Sequence, residues 1–433
     1  MASNVYEDRW NVPVNYILKT TKRERNVAMQ TENRIRGVFF ITTILCLLSL
    51  ICASVALSDG DDQIDWQKAR ELLRKQRQGQ SLTDEEKAYL ERARQQRARG
   101  RPDRARPEDQ RRPEGDRTGE GKETTGMLPI TELVDGKYKG QTGGLYGNGM
   151  NNPPAPHQAA AKKELAKIRP LDANGKPSKD GRIVLISLGM SNTTQEFSQF
   201  KRIADADLNK SPSVVIVDCA QGGQAAAQWA YPEKFKRIDR RTGRQRPSPW
   251  TVMDERIKNA NVTAGQVQLV WIKQAEMGPA NLGEFPKHAQ VLQKNIAVIL
   301  QKLKDRFPNL RIAYLSSRIY AGYAGTPLNP EPYAYESAFS VRWLIEDQIK
   351  GKPELNYDPQ KGGVKSPLLL WGPYLWGDGT KPRKSDGLVW KREDLAGDGT
   401  HPSQSGRRKV AEMLLKFFKT DVNARGWFLK RAG

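Results

Sequence analysis

Five short runs of apolar residues, at 182–188, 213–219, 267–272, 311–316 and 367–371, constrain this chain more than any other feature. Each is nearly continuous in Val, Ile and Leu rather than alternating, as a strand covered on both faces requires. Between the third and fourth, residues 288–307 place Val291, Leu292, Ile296, Ile299, Leu300 and Leu303 at helical spacing. Residues 333–351 and 404–418 also read as helices. Strands alternating with helices predict an α/β domain, a three-layer α/β/α doubly wound parallel sheet of flavodoxin-like type. Its functional residues are expected at the C-terminal ends of the strands.

Two clusters fall at such positions. Gly189, Met190, Ser191 and Asn192 follow the first run, and Asp398, Gly399, Thr400, His401 and Pro402 precede the last helix. A serine hydroxyl becomes a nucleophile when a neutral imidazole takes its proton, and a carboxylate on the other ring nitrogen sets the tautomer. The three-residue separation lets one turn hold Asp398 against His401. The chain has three histidines, His157, His288 and His401, and only His401 has a carboxylate three residues before it. His157 is expected at the surface and His288 at a helix start. Duller readings stand beside the catalytic one: Ser191 as a helix N-cap, Gly222 and Gly223 as a tight turn, His401 as part of a loop.

In this order the clusters resemble those of the SGNH hydrolase superfamily, in particular its sialate O-acetylesterase-like carbohydrate esterase branch. Gly189-Met190-Ser191-Asn192 resembles that branch's first block, with Met190 in place of Gln. Gly222, Gly223, Gln224 and Trp229 resemble the second block at matching spacing. Trp271, Ile272, Lys273, Gln274, Ala275 and Glu276 resemble the third, with one residue inserted and Ala replacing Gly. Residues 315–320 and 329–336 resemble an exported bacterial SGNH-like group of no settled activity. The resemblance covers about residues 180 to 420.

It implies an esterase in which Ser191 attacks, His401 is the base and Asp398 holds it. It further implies an oxyanion hole from the Ser191 N–H, Gly222 or Gly223, and the Gln274 amide, with no cofactor and no metal. Acetylated carbohydrate would be the substrate. Two alternatives stay open: a catalytically weak carbohydrate-binding or scaffolding protein on the same fold, and a lipid or thioester acyl hydrolase. Lys273 is expected to face away from the site, Glu276 and Arg318 to form structural salt bridges, and Trp229, Trp271, Trp371 and Trp376 to sit in the core or at a rim.

The remainder reads as delivery apparatus. Residues 37–57 form the one long apolar run, preceded by Arg34 and Arg36 and followed by Asp59, Asp61 and Asp62. This bias keeps the N-terminus cytoplasmic and exports the rest. Ser54 and Ala56 favour signal cleavage after Ala56 over an uncleaved anchor, although the run is long enough to span a bilayer. Met29 as an alternative start would shorten the leader to ordinary proportions. Neither Cys46 nor Cys52 sits in a lipidation context, and Cys219 would be the sole thiol left after cleavage, so no intramolecular disulfide is expected.

The expected divisions are 1–58 for leader or anchor, 59–96 for a short helical segment and 97–125 for a disordered charged spacer. An extension at 126–180 then precedes the hydrolase domain at 181–433. A net charge of +22 without a recognised nucleic-acid module disfavours nucleic acid. It suits a membrane surface or an anionic wall polymer.

Overall fold

The computed structural model describes residues 64–77, 80–99, 121–236, 238–239 and 241–430. The apolar run at 37–57 and most of the expected spacer lie outside the described residues. Two units are present, Met1–Arg112 and Pro113–Gly433.

In the first unit, helices α1 (Trp66–Arg77) and α2 (Asp84–Arg99) bury Ile64, Ala69, Leu72, Leu82, Leu90 and Ala93 against one another. The turn before α2 is a capping box. Thr83 Oγ1 accepts from the Glu86 N–H at 3.2 Å, and Glu86 Oε2 accepts from the Thr83 N–H at 3.0 Å. Among the described residues no helix is long and apolar enough to cross a membrane.

The second unit carries α3 (Ala155–Leu165), β1 (Ile183–Gly189), α4 (Ser191–Asp205), β2 (Val214–Val217), α5 (Ala226–Ala230), α6 (Pro249–Asn259) and β3 (Val267–Lys273). These are followed by α7 (Lys287–Arg306), β4 (Ile312–Ser316), α8 (Tyr333–Ile349), β5 (Leu368–Trp371), α9 (Gln404–Thr420) and α10 (Arg425–Phe428). These five strands form one sheet in the order β2-β1-β3-β4-β5, every pairing in it parallel, and a separate antiparallel ribbon pairs Lys137–Tyr138 with Gln141–Thr142. The expected doubly wound α/β sheet is therefore present, and the five predicted runs are its five strands. Every residue of β1 and of β3 is buried, so helices cover both faces. α4 packs on α9, while α7 packs on α5 and α8. The order reverses at β1, which places a crevice at the C-terminal ends of β1 and β3.

Two details differ from the sequence reading. His157 is buried in α3 rather than exposed, its Nε2 bonded to the Leu369 carbonyl at 2.8 Å. Burial holds its imidazole below the usual histidine range. Residues 121–125, expected to end a spacer, are instead tied to the domain. The Lys122 N–H donates to the Gly322 carbonyl at 3.0 Å, and the Asp378 carboxylate accepts from the N–H groups of Thr125 and Gly126 at 2.6 and 3.0 Å.

The end of β3 is coupled to α4 by a fully buried ion pair between Lys273 Nζ and Glu196 Oε2. Burial raises Glu196 above the ordinary carboxylate range and pulls Lys273 down to about 8. A bond from Thr193 Oγ1 to the Lys273 carbonyl at 2.8 Å adds a second tie. Removing one ion of a buried pair strands the other, so Glu196→Ala is expected to cost about 3 to 5 kcal/mol. A lower urea midpoint at unchanged m-value would show this; an unaltered midpoint would mean the pair contributes nothing to holding α4.

Candidate active site

Strand β1 delivers Ser191 through a tight junction. A Cβ built on Gly189 would lie 2.3 Å from Thr193 Oγ1 and 2.4 Å from the Lys273 carbonyl oxygen. Only glycine allows strand end, helix start and neighbouring strand to meet there. Met190 is the N-cap, with extended backbone and no side-chain capping bond, and Ser191 is the first residue of α4. Ser191 is thus not the cap that its residue type suggests, and its hydroxyl is free for another partner.

That partner is His401. Ser191 Oγ lies 2.7 Å from His401 Nε2, and His401 Nδ1 lies 2.5 Å from Asp398 Oδ2. With the Nδ1 proton donated to the carboxylate, Nε2 is left to accept from the serine hydroxyl. Asp398 Oδ1 accepts two further bonds at 3.0 Å, from the N–H groups of Thr400 and His401. Burial alone would raise the Asp398 pKa, but the backbone and ring N–H groups of His401 and the N–H of Thr400 outweigh it. They hold the carboxyl below its ordinary range.

Three contacts fix this loop. Asn192 Nδ2 donates to the Thr400 carbonyl at 2.9 Å, and the Gly325 N–H donates to the Asp398 carbonyl at 3.0 Å. Gly399 takes φ +64, where an added Cβ would sit 1.7 Å from the Tyr323 carbonyl oxygen. Ser403 then caps α9, accepting from the Gly406 N–H at 3.4 Å. The loop reading of His401 is thus true as well as the pairing: capping and catalytic geometry share one turn.

The expected oxyanion donors surround the serine unevenly. Gly222 lies beside it, a Cβ built there falling 3.9 Å from Ser191 Cβ. Gly223 lines the cavity next to Ser191. A bond from the Gln221 N–H to the Gly189 carbonyl, 3.0 Å, holds this loop to the end of β1. Gln274 is buried directly after β3. Its Oε1 accepts from the Ala275 N–H at 3.4 Å, and among the described residues its Nε2 has no hydrogen-bond partner. At this strand end the cavity wall is formed by Glu276 and Met277 rather than by Gln274.

Ser191 and His401 open into a cavity of about 260 Å³, with Met190, Ala225, Met277 and Leu328 as its apolar wall. Glu276 and Arg318 are also in the wall, and here the salt-bridge expectation fails. Glu276 Oε1 accepts from Asn295 Nδ2 at 2.8 Å, and among the described residues neither Glu276 nor Arg318 forms an ion pair. Sequence reasoning assigned both to structure because strand-end charges usually pair; nothing local in the sequence distinguishes one that does not. Trp229, Trp271, Trp371 and Trp376 are all buried in the core, and none lines this cavity. His288 is remote in role, its Nε2 lying 2.6 Å from Glu336 Oε2 in the packing of α7 on α8. Cys219 is buried, and its thiol is pushed far up by that burial.

No protein-family model and no curated protein sequence matches the chain. Solved structures that are similar in part include two hydrolases. One, from Bacteroides fragilis and classed as an acylhydrolase, is 16% identical over 61% of this chain and 96% of its own, with a TM-score of 0.31. The other, an extracellular lipase of Streptomyces rimosus, is 11% identical over 53% of this chain and 99% of its own, with a TM-score of 0.26. At these values neither likeness carries an activity to this chain. The fold rests on its own strand order, and the function on its own site.

The unpartnered amide of Gln274 gives a direct test. If it completes the oxyanion hole, Gln274→Ala lowers kcat by ~10² to 10³ with little change in KM, because the donor acts mainly in the transition state. Wild-type kcat in the variant would leave the hole to Ser191 and the two glycines.

Proposed function

We propose that this protein is a serine-dependent ester hydrolase acting on short acyl esters, with O-acetylated carbohydrate as the favoured substrate class. One observation carries the reading: the unbroken hydrogen-bonded chain from Ser191 through His401 to Asp398, facing a small cavity. His401 Nε2 takes the hydroxyl proton as Ser191 Oγ attacks the ester carbonyl, and the same nitrogen returns it to the departing alcohol. Water then attacks the acyl-serine by the same route in reverse. Asp398 holds the tautomer and balances the imidazolium that forms.

The oxyanion develops at the N-terminus of α4, where the first N–H groups of a helix lack intrahelical acceptors and the dipole favours negative charge. Gly222 or Gly223 supplies a neighbouring backbone donor. The chemistry needs no cofactor. The intact serine-to-histidine contact weighs against a pure binding module. The carbohydrate part rests on the order of the sequence blocks, and export and a basic tether toward a membrane or wall polymer rest on residues 1–125.

Ser191→Ala removes the nucleophile and almost no volume. Hydrolysis of nitrophenyl acetate and of acetylated sugars should fall by ~10⁴ to 10⁶ while the melting curve stays unchanged. A variant that keeps wild-type kcat rules the mechanism out.

The pH profile offers a second check. The N–H groups of His401 and Thr400 hold the Asp398 carboxyl below its ordinary range, so its charge persists on acidification. Activity should therefore fall toward acid pH with a slope of one proton, belonging to the imidazole alone. A slope of two, or no acid limb, would assign the base elsewhere.

A further inference from the structure

Residues 121–126 lie as a strap along the loop 320–325, and one buried carboxylate holds them there. Asp378 is 2% exposed, and among the described residues no cation pairs with it. Its donors are the Thr125 N–H and Oγ1, both at 2.6 Å, and the Gly126 N–H at 3.0 Å. A buried carboxylate is tolerated only where donors replace the water it has lost, and all three of these belong to the strap.

The rest of the strap meets the loop. The Lys122 N–H donates to the Gly322 carbonyl at 3.0 Å, and the Tyr320 hydroxyl donates to the Lys122 carbonyl. The Glu123 carbonyl accepts from the Thr380 N–H at 2.9 Å. It passes so close to Gly379, at φ +58, that a Cβ built there would lie 1.6 Å from its oxygen. The same loop supports the catalytic turn. A Cβ on Gly121 would fall 2.7 Å from Tyr323 Cα, and the Tyr323 carbonyl in turn lies against Gly399. The Gly325 N–H donates to the Asp398 carbonyl at 3.0 Å. Loop 320–325 thus touches the strap and the turn from Asp398 to His401 at once.

We propose that the strap braces the catalytic base, with Asp378 a positioning residue that acts through loop 320–325 on Asp398 and His401. His401 must stay within hydrogen-bond reach of Ser191, and small displacements of a reacting group are costly in rate. This rests on the esterase reading for turnover but not for the mechanical link.

Asp378→Asn in the full chain keeps the side chain's shape but turns an amide toward the strap's N–H groups. Hydrogen exchange should then quicken at 122–126 and at 399–401, while β1 and β3 keep their protection. On nitrophenyl acetate kcat should fall by ~10- to 100-fold with KM nearly unchanged. Gly379→Ala, which pushes Glu123 away by contact, should give the same two effects from a second position. Thr125→Val removes a single bond and should lower kcat less, and Thr125→Ser should restore it. Should Asp378→Asn fail to fold, the Gly379 and Thr125 variants carry the comparison.

Faster exchange in the strap with 399–401 and kcat unchanged overturns the proposal and leaves the esterase standing. A change in KM alone, a strap that stays protected in both variants, or exchange that quickens throughout the sheet overturns it too. If the wild-type chain hydrolyses no ester, the esterase reading falls, and exchange decides the link: coupled quickening at 399–401 supports it, and its absence overturns it.

Discussion

All five strands of the sheet run in one direction, and the site depends on this more than on any single contact. A parallel sheet covered on both faces sends every connection out at its edges, so the segments after its strands share one rim. Ser191 follows β1, Gly222 and Gly223 follow β2, Gln274 and Glu276 follow β3, and Arg318 follows β4. The remaining two residues arrive by packing of helices. α9 lies against α4, so the loop that leads into α9 is brought to the start of α4, and His401 meets Ser191 at 2.7 Å.

The polar groups buried around this rim fall into unequal kinds. Lys273 and Glu196 neutralise each other and fasten the end of β3 to α4. Glu331, pushed up to about 7 by burial, has three donors gathered on its carboxylate. Among the described residues Arg318 has no ion-pair partner, and its Nε and Nη2 have no acceptor. Buried polar groups that are joined specify structure.

Much of this was legible in the linear chain. Strands buried on both faces write themselves as unbroken apolar runs, so each of the five was found to within a residue or two. The pairing of Asp398 with His401 was legible because a carboxylate three residues ahead can fold back within one turn. Helix α6 was legible but missed: Ser248 and Pro249 form a start signal, and Trp250, Met253 and Ile257 recur at helical spacing. Helix α3 had little to read, since its Ala and Lys residues form no apolar stripe and it buries His157 and Glu164 instead.

What the sequence determined by itself was the fold class and the short-range chemistry, because periodicity and turn geometry are local properties of the chain. What tertiary structure alone decided was partnership. Ser191 and His401 are 210 positions apart, Lys273 and Glu196 are 77 apart, and whether Arg318 finds a counterion depends on elements that no local pattern connects to it. Distances of this kind are set by how helices pack across a sheet, and a linear chain records only the residues that such packing brings together.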